Sequence, residues 1–247
     1  MSNWSPLRTK IQGGCPACQG SGYVDFELCN CTLKFRAFNR LIRGGFHEHS
    51  LDVVSSPDYI LPVMESGAEA FTYFMQHPLE VCSWGHSLYL FSKENGLGKT
   101  TLAHYAMYAV LWTLSRTENY GPKRTYAFES IQSLCKKENA GKPYSTWDAT
   151  ILVIDDLGAE SRSALWKKEN NLAMLHEGLH HRLDRSYPTI VTSNYTPTAL
   201  SKLYEGVLDS VLEIQPDGTI GGQRYRQIEV GGEGDFRRKD GYSVWPV

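Results

Sequence analysis

The chain has 247 residues, 41% of them hydrophobic, enough for one substantial core and a small appendage. No run of about 18 apolar residues appears and the polar start "MSNWSPLRTK" lacks a signal peptide's apolar stretch, so neither membrane insertion nor export is indicated and the cytoplasm is expected. The net charge of −2 argues against a general nucleic-acid binder, yet residues 1–45 carry Arg8, Lys10, Lys34, Arg36, Arg40 and Arg43 against Asp25 and Glu27. A basic N-terminal segment before an acidic body fits a local contact to nucleic acid or to an acidic protein surface, and equally fits solvated charge.

Four of the six cysteines fall in that segment, as Cys15-Pro-Ala-Cys18 and Cys29-Asn-Cys31. Two close pairs facing one another across a hairpin present four thiolates tetrahedrally, as zinc requires, and glycines at 13, 14, 20 and 22 supply the turn conformations. Structural zinc is expected, with disulfides disfavoured where no export signal is present. The second pair is C-x-C, a departure from the commoner C-x-x-C. Four cysteine ligands leave no open position for water or substrate, which excludes a catalytic zinc. Cys82 and Cys135 stand alone and read as buried small hydrophobes.

Next, "TLKFRAFNRLIRGG" places Phe35, Phe38 and Ile42 on one helical stripe and Arg36, Arg40 and Arg43 on another, and Gly44-Gly45 ends the helix. The aromatic stripe is expected to pack on the cysteine module, leaving a basic face for a partner. Residues 46–85 show the weakest pattern. "SSPDYILPVMESG" has two prolines and no period, so about 46–60 reads as linker, whereas "AEAFTYFMQHP" reads as a helix leading into the main domain.

From His86 strands and helices alternate. "HSLYLFS" reads as a strand, "GKTTLAHYAMYAVLWTLSR" as a helix, and "RTYAFES", "ATILVIDDLG" and "YPTIVTSN" as further strands. This alternation implies an α/β fold with a parallel sheet covered on both faces, whose ligands bind at the carboxyl ends of the strands. At one such end, Asn95, Gly96, Leu97, Gly98, Lys99, Thr100 and Thr101 form a phosphate-binding loop. Backbone N–H groups and the helix dipole hold phosphates, Lys99 reaches the terminal phosphates, and Thr100 ligates magnesium. Lys93 stands where the usual pattern has its first glycine, but Gly96 and Gly98 serve the close backbone approach. "ILVIDDLG" has the form of a neighbouring strand that delivers a carboxylate beside the magnesium: Asp155 for the metal, Asp156 to polarise the attacking water. Asn194 closes the strand "PTIVTSN", where an amide would orient that water, or merely begin a turn.

The motifs "GLGKTTLA", "LVIDDLGAE", "HHRLDRSYPTIVTSN" and "GEGDFRR", preceded by "CPACQGSGYV" and "CNC", resemble the DnaC/DnaI-type helicase loaders and related phage or mobile-element replication ATPases of the AAA+ superfamily. The resemblance implies an AAA+ P-loop NTPase core at 86–247, a lead-in at 46–85, and a zinc-binding module with a basic helix at 1–45. It further implies an oligomeric ATPase using ATP and Mg2+ that places a replicative helicase on single-stranded DNA, with the Zn2+ module engaging the helicase. Lys99, Thr100, Asp155 and Asn194 match the nucleotide, magnesium and sensor positions, whereas Asp156 replaces a common Glu, which implies slow hydrolysis. Arg224 or Arg226 becomes the candidate for a trans-acting arginine, and Arg237 for a second sensor. Two alternatives share parts of this pattern. One is a transposition-associated ATPase acting with a transposase on target DNA, and the other is a small-molecule P-loop kinase, which "IDDLG" with "TSN" fits less well.

Overall fold

A computed structural model of the chain describes residues 5–56, 61–116, 125–139, 146–162, 168–222 and 224–231. The N-terminal part runs α1 (Ser5–Gln12), β1 (Tyr23–Val24), β2 (Glu27–Leu28), α2 (Asn30–Arg43), α3 (Glu48–Val54), β3 (Met64–Ser66), α4 (Ala68–Gln76) and α5 (Pro78–Trp84). The body continues with β4 (Ser87–Phe91), α6 (Lys99–Ser115), β5 (Tyr126–Ser130), α7 (Ile131–Asn139), β6 (Ile151–Leu157) and a 3-10 turn at Ala159–Arg162. It ends with α8 (Lys168–Asp184), β7 (Thr189–Ser193), α9 (Pro197–Leu203), α10 (Asp209–Leu212) and β8 (Tyr225–Val230).

Six strands form one sheet in the order β3-β8-β4-β7-β6-β5, parallel throughout except for the edge strand β3. Every residue of β4 is buried, as expected of a strand covered on both faces. Its side chains divide by the period of two. Leu88 and Leu90 join Val153, Ile190 and Ile228 in a core closed by α2 to α6, and Tyr89 and Phe91 join Ile154 and Val191 in a second core under α7 to α10. Helix α6 buries Leu102, Ala103, Ala106, Met107, Val110, Leu111 and Leu114, a full-length stripe at helical spacing.

The N-terminal helix packs differently from expectation. The buried face of α2 is Leu33, Ala37, Phe38 and Leu41, and the last three belong to the same core as α6. Phe35 and Ile42 are only half-buried at its margin, so the stripe is rotated from the aromatic one and faces the body of the protein. At its end, the Gly44 carbonyl accepts from Phe128 N–H at 2.7 Å, along the outer edge of β5. A Cβ on Gly44 would lie 2.1 Å from the Tyr126 carbonyl oxygen, so this contact requires glycine. Within residues 46–60, α3 buries Leu51 and Val54 in the same core, and Lys10 of α1 reaches it through ion pairs with Glu48 and Asp52.

Candidate nucleotide site

The loop after β4 is shaped by two glycines in the left-handed region, Gly96 at φ 84 and Gly98 at φ 91. Gly98 is the N-cap of α6 and offers no side-chain cap, so the first N–H groups of the 17-residue helix point out of its end with no side-chain cap among the described residues. Leu97 is buried under the loop, while Lys93, Glu94 and Asn95 are exposed. Lys93 thus sits at a position where a side chain has room. Lys99 is 6% exposed and folds back over the loop, donating to Ser92 Oγ at 2.9 Å and to the Glu94 carbonyl at 3.0 Å. Burial lowers its pKa, and the charges of Asp156 and Asp155 pull it back up.

The acidic strand is not adjacent to the loop strand, as the sequence suggested it would be. Strand β7 lies between β4 and β6. The carboxylate still reaches the loop: Thr100 donates to Asp155 Oδ1 at 2.9 Å, and Thr192 of β7 donates to the same oxygen at 2.7 Å. Burial raises the Asp155 pKa, and the hydroxyls of Thr192 and Thr100, followed by Lys99, oppose that rise. Asp156 follows at φ 59, with an exposed side chain. Partial desolvation and then the Asp155 charge raise its pKa, against Lys99. Asn194 is half-buried at the end of β7, beyond Ser193, which pairs with Leu157. The loop, both acids and Asn194 therefore share the carboxyl edge of the sheet. A buried cation, free helix-terminal donors and a hydroxyl–carboxylate pair are the groups a phosphate with its magnesium needs, so the residues fit a Mg2+ nucleotide.

The arginines lie elsewhere. Arg224 precedes β8 and donates to the Leu183 carbonyl, while the exposed Arg226, opposite Leu88 at the start of β4, donates to the Gly222 carbonyl at 2.5 Å. Both are at the amino ends of the strands, on the order of 15 Å from the loop at about 3.3 Å per residue. Arg226 instead lines a cleft of about 330 Å³ with Tyr73, Phe74 and His86. Arg237 and "GEGDFRR" lie outside the described residues.

At the N-terminus, Cys15, Cys18, Cys29 and Cys31 bring four sulfurs within 4.8 Å of one another. Cys15 and Cys29 are 3.7 Å apart and Cys18 and Cys31 3.4 Å, close to the ~3.8 Å edge of a tetrahedron with ~2.3 Å zinc–sulfur bonds and beyond disulfide length. The β1–β2 hairpin turns through Asp25 at φ 49 and Phe26 at φ 68, delivering Cys29 to the start of α2, and Thr32 braces it by donating to the Gly22 carbonyl at 2.9 Å. The cluster could hold Zn2+.

Sequence reasoning passed over three groups around the site. Thr192 lies inside the strand "PTIVTSN", from which only Asn194 stood out. His104, fully buried one turn beyond Thr100, donates to the Thr100 carbonyl at 2.7 Å through Nδ1, and its Nε2 has no partner among the described residues. Glu160, 1% exposed, accepts from Gly158 N–H at 2.9 Å and from the Tyr204 hydroxyl, fixing the turn after the acids. Only the "GAE" after the acid pair hinted at it.

This architecture is a mixed α/β fold with a six-stranded, mostly parallel sheet, shared with helicase loaders of known structure. Among solved structures it is similar to the DnaC helicase loader, 17% identical over 75% of this chain and 100% of that one with a TM-score of 0.54, and to DnaI, 17% identical over 76% and 92% with a TM-score of 0.51. Neither the family models nor the curated proteins compared with the sequence gave a match. Among the described residues, no helix is long and apolar enough to cross a membrane.

Proposed function

We propose that the chain is an ATP-dependent replication protein that, as an oligomer, loads or remodels a replicative helicase on single-stranded DNA. The observation that carries the ATPase half is the 2.9 Å bond from Thr100 to Asp155, which joins loop and strand end across 55 positions of sequence. In this reading Asn95 to Thr101 cradle the phosphates and Lys99 turns from Ser92 to meet them. Thr100 and Asp155 hold Mg2+, which supplies charge neutralisation at the phosphates. Asp156 takes the proton of the attacking water, and Asn194 orients that water. From the amino ends of the strands, Arg224 and Arg226 are too far to serve their own loop, so either would act in a neighbouring copy. Arg237 is the candidate for a sensor within the same copy.

The loader half is supported by a fold shared with the DnaC helicase loader and DnaI over nearly the whole of those chains, and by a four-cysteine cluster next to a helix with exposed Arg36 and Arg43. Zinc would be structural there. The test is a loading assay on protein-coated single-stranded DNA with the intact chain and a replicative helicase of its host. Helicase deposition that requires ATP and is lost in Lys99→Ala supports the proposal. Absence of any helicase association, with binding to a transposase instead, overturns it in favour of a transposition ATPase. Deleting residues 1–45 is a poor probe, because it strips Ala37, Phe38 and Leu41 from the core; Cys29→Ser with Cys31→Ser perturbs the module more locally.

A further inference from the structure

Strands β6 and β7 lose register just where the acids stand. Ile154 pairs with Val191 and Leu157 with Ser193, so Asp155 and Asp156 together face the single residue Thr192. This is a β-bulge, and Asp156 adopts the left-handed region at φ 59 to make it. A bulge takes a backbone N–H out of the ladder. Here Thr192 Oγ1 accepts the displaced Asp156 N–H at 2.9 Å and gives its own proton to Asp155 Oδ1 at 2.7 Å. Thr192 is fully buried, so without its hydroxyl a part-buried donor and a buried carboxylate would each lose a partner. A threonine in a buried strand is usually filler, chosen for β-propensity. Filler needs the methyl, not a hydroxyl whose donor and acceptor are spent on two consecutive acids.

We infer that Thr192 is a positioning residue: through one hydroxyl it holds the bulge that aims Asp156 and fixes the Asp155 carboxylate. The inference rests on the nucleotide reading proposed above. Asp155 Oδ1 now accepts from both Thr100 and Thr192, and in that reading Thr100 turns to the metal, leaving Thr192 to keep the carboxylate oriented.

The experiment titrates a fluorescent ATP analogue into the full chain, across a range of magnesium concentrations and in EDTA, for wild type, Thr192→Val, Thr192→Ala and Thr192→Ser. The valine and alanine variants should need about tenfold more magnesium for half-maximal binding, the effect of losing one hydrogen bond to a charged group. Their affinity in EDTA should stay within about twofold of wild type, and serine should restore the magnesium dependence. In the nucleotide-free chain, amide exchange at Asp156 should speed up in valine and alanine but not in serine. Alanine adds no bulk and stands in should valine not fold. Wild-type magnesium dependence in both variants lacking the hydroxyl, or a serine variant as impaired as valine, overturns the role of Thr192 alone. A wild-type chain that binds no nucleotide under any condition overturns the nucleotide reading and this inference with it.

Discussion

Asp156 shows how one residue's backbone restricts its chemistry. At φ 59 it occupies a region where Asp and Asn are several-fold enriched and longer side chains are not. Asp156→Asn should therefore melt within about 1 °C of the parent, a near-zero stability change, while the proposed role of Asp156 as base predicts at least a tenfold fall in ATP turnover. Asp156→Glu restores a carboxylate but not the conformation, and should cost about 1 kcal/mol of stability without raising turnover. Thermal melts and phosphate release measure both; a glutamate variant that is as stable as the parent and faster would contradict this account of the bulge.

His104 carries a second expectation. Burial, with a smaller contribution from His47 and against the bond to Thr100, lowers its pKa to about 4. The groups around it are Phe46 and His47 before α3, Phe128 of β5, and the Thr100 carbonyl. An unfolded histidine titrates near ~6.5, so between about pH 6.5 and 4 the unfolded chain binds the extra proton. Stability from the neutral ring is complete above that window and is lost as pH falls through it. His104→Phe should lack that slope, so the difference in denaturation free energy between variant and parent should change across the window, since carboxylates common to both cancel. Parallel pH profiles for the two would contradict the assignment.

At the scale of elements, the N-terminal cysteine cluster is joined through α2 to the core that holds α6. Cys29 and Cys31 lie at the start of α2, and seven residues beyond Cys31 Phe38 is buried against the α6 side of the core. Burying Phe38 and Leu41 is worth about 1.5–3 kcal/mol each, so loosening the start of α2 should be felt in the body. Removing zinc by chelation, or by Cys29→Ser with Cys31→Ser, should lower the melting temperature by at least about 3 °C, roughly 1 kcal/mol for a chain of this size. Purified protein should carry about one zinc per chain. Metal loss without any shift would show that the cluster does not support the helix.

Much of this element framework was legible in the sequence, for a physical reason. Strands β4, β6 and β7 are buried on both faces almost throughout and so appear as short apolar and β-branched stretches, and α6 opens on a loop whose glycines mark its start. The reading failed where neighbours decide the structure. Strand β8 is "YRQIEV", whose buried Tyr225, Ile228 and Val230 keep no strict alternation, so it becomes a strand by pairing with β4 and its sequence offers only its arginine. Helix α3 has just two buried residues in seven, too few to show a period, so its sequence reads as linker. Within the site, the residue types of the loop and the acids announced themselves. Thr192 did not, because its role depends on a register shift between two strands that no single strand's sequence encodes.

At the scale of the whole molecule, the parallel sheet gathers Lys99, Thr100, Asp155, Asp156 and Asn194 at its carboxyl edge and leaves Arg224 and Arg226 at the other. That polarity is what one ATP site per chain, completed by a neighbour, would require. The most direct test of the central claim is a calorimetric titration of ATP with magnesium into the intact chain and into Lys99→Ala. The account predicts one site per chain, weakened in the variant by roughly 1.5–3 kcal/mol, the loss of a charge-assisted phosphate contact, with Lys93→Gly within a few-fold of the parent. No saturable binding by the intact chain, or equal losses for Lys93→Gly and Lys99→Ala, would contradict it.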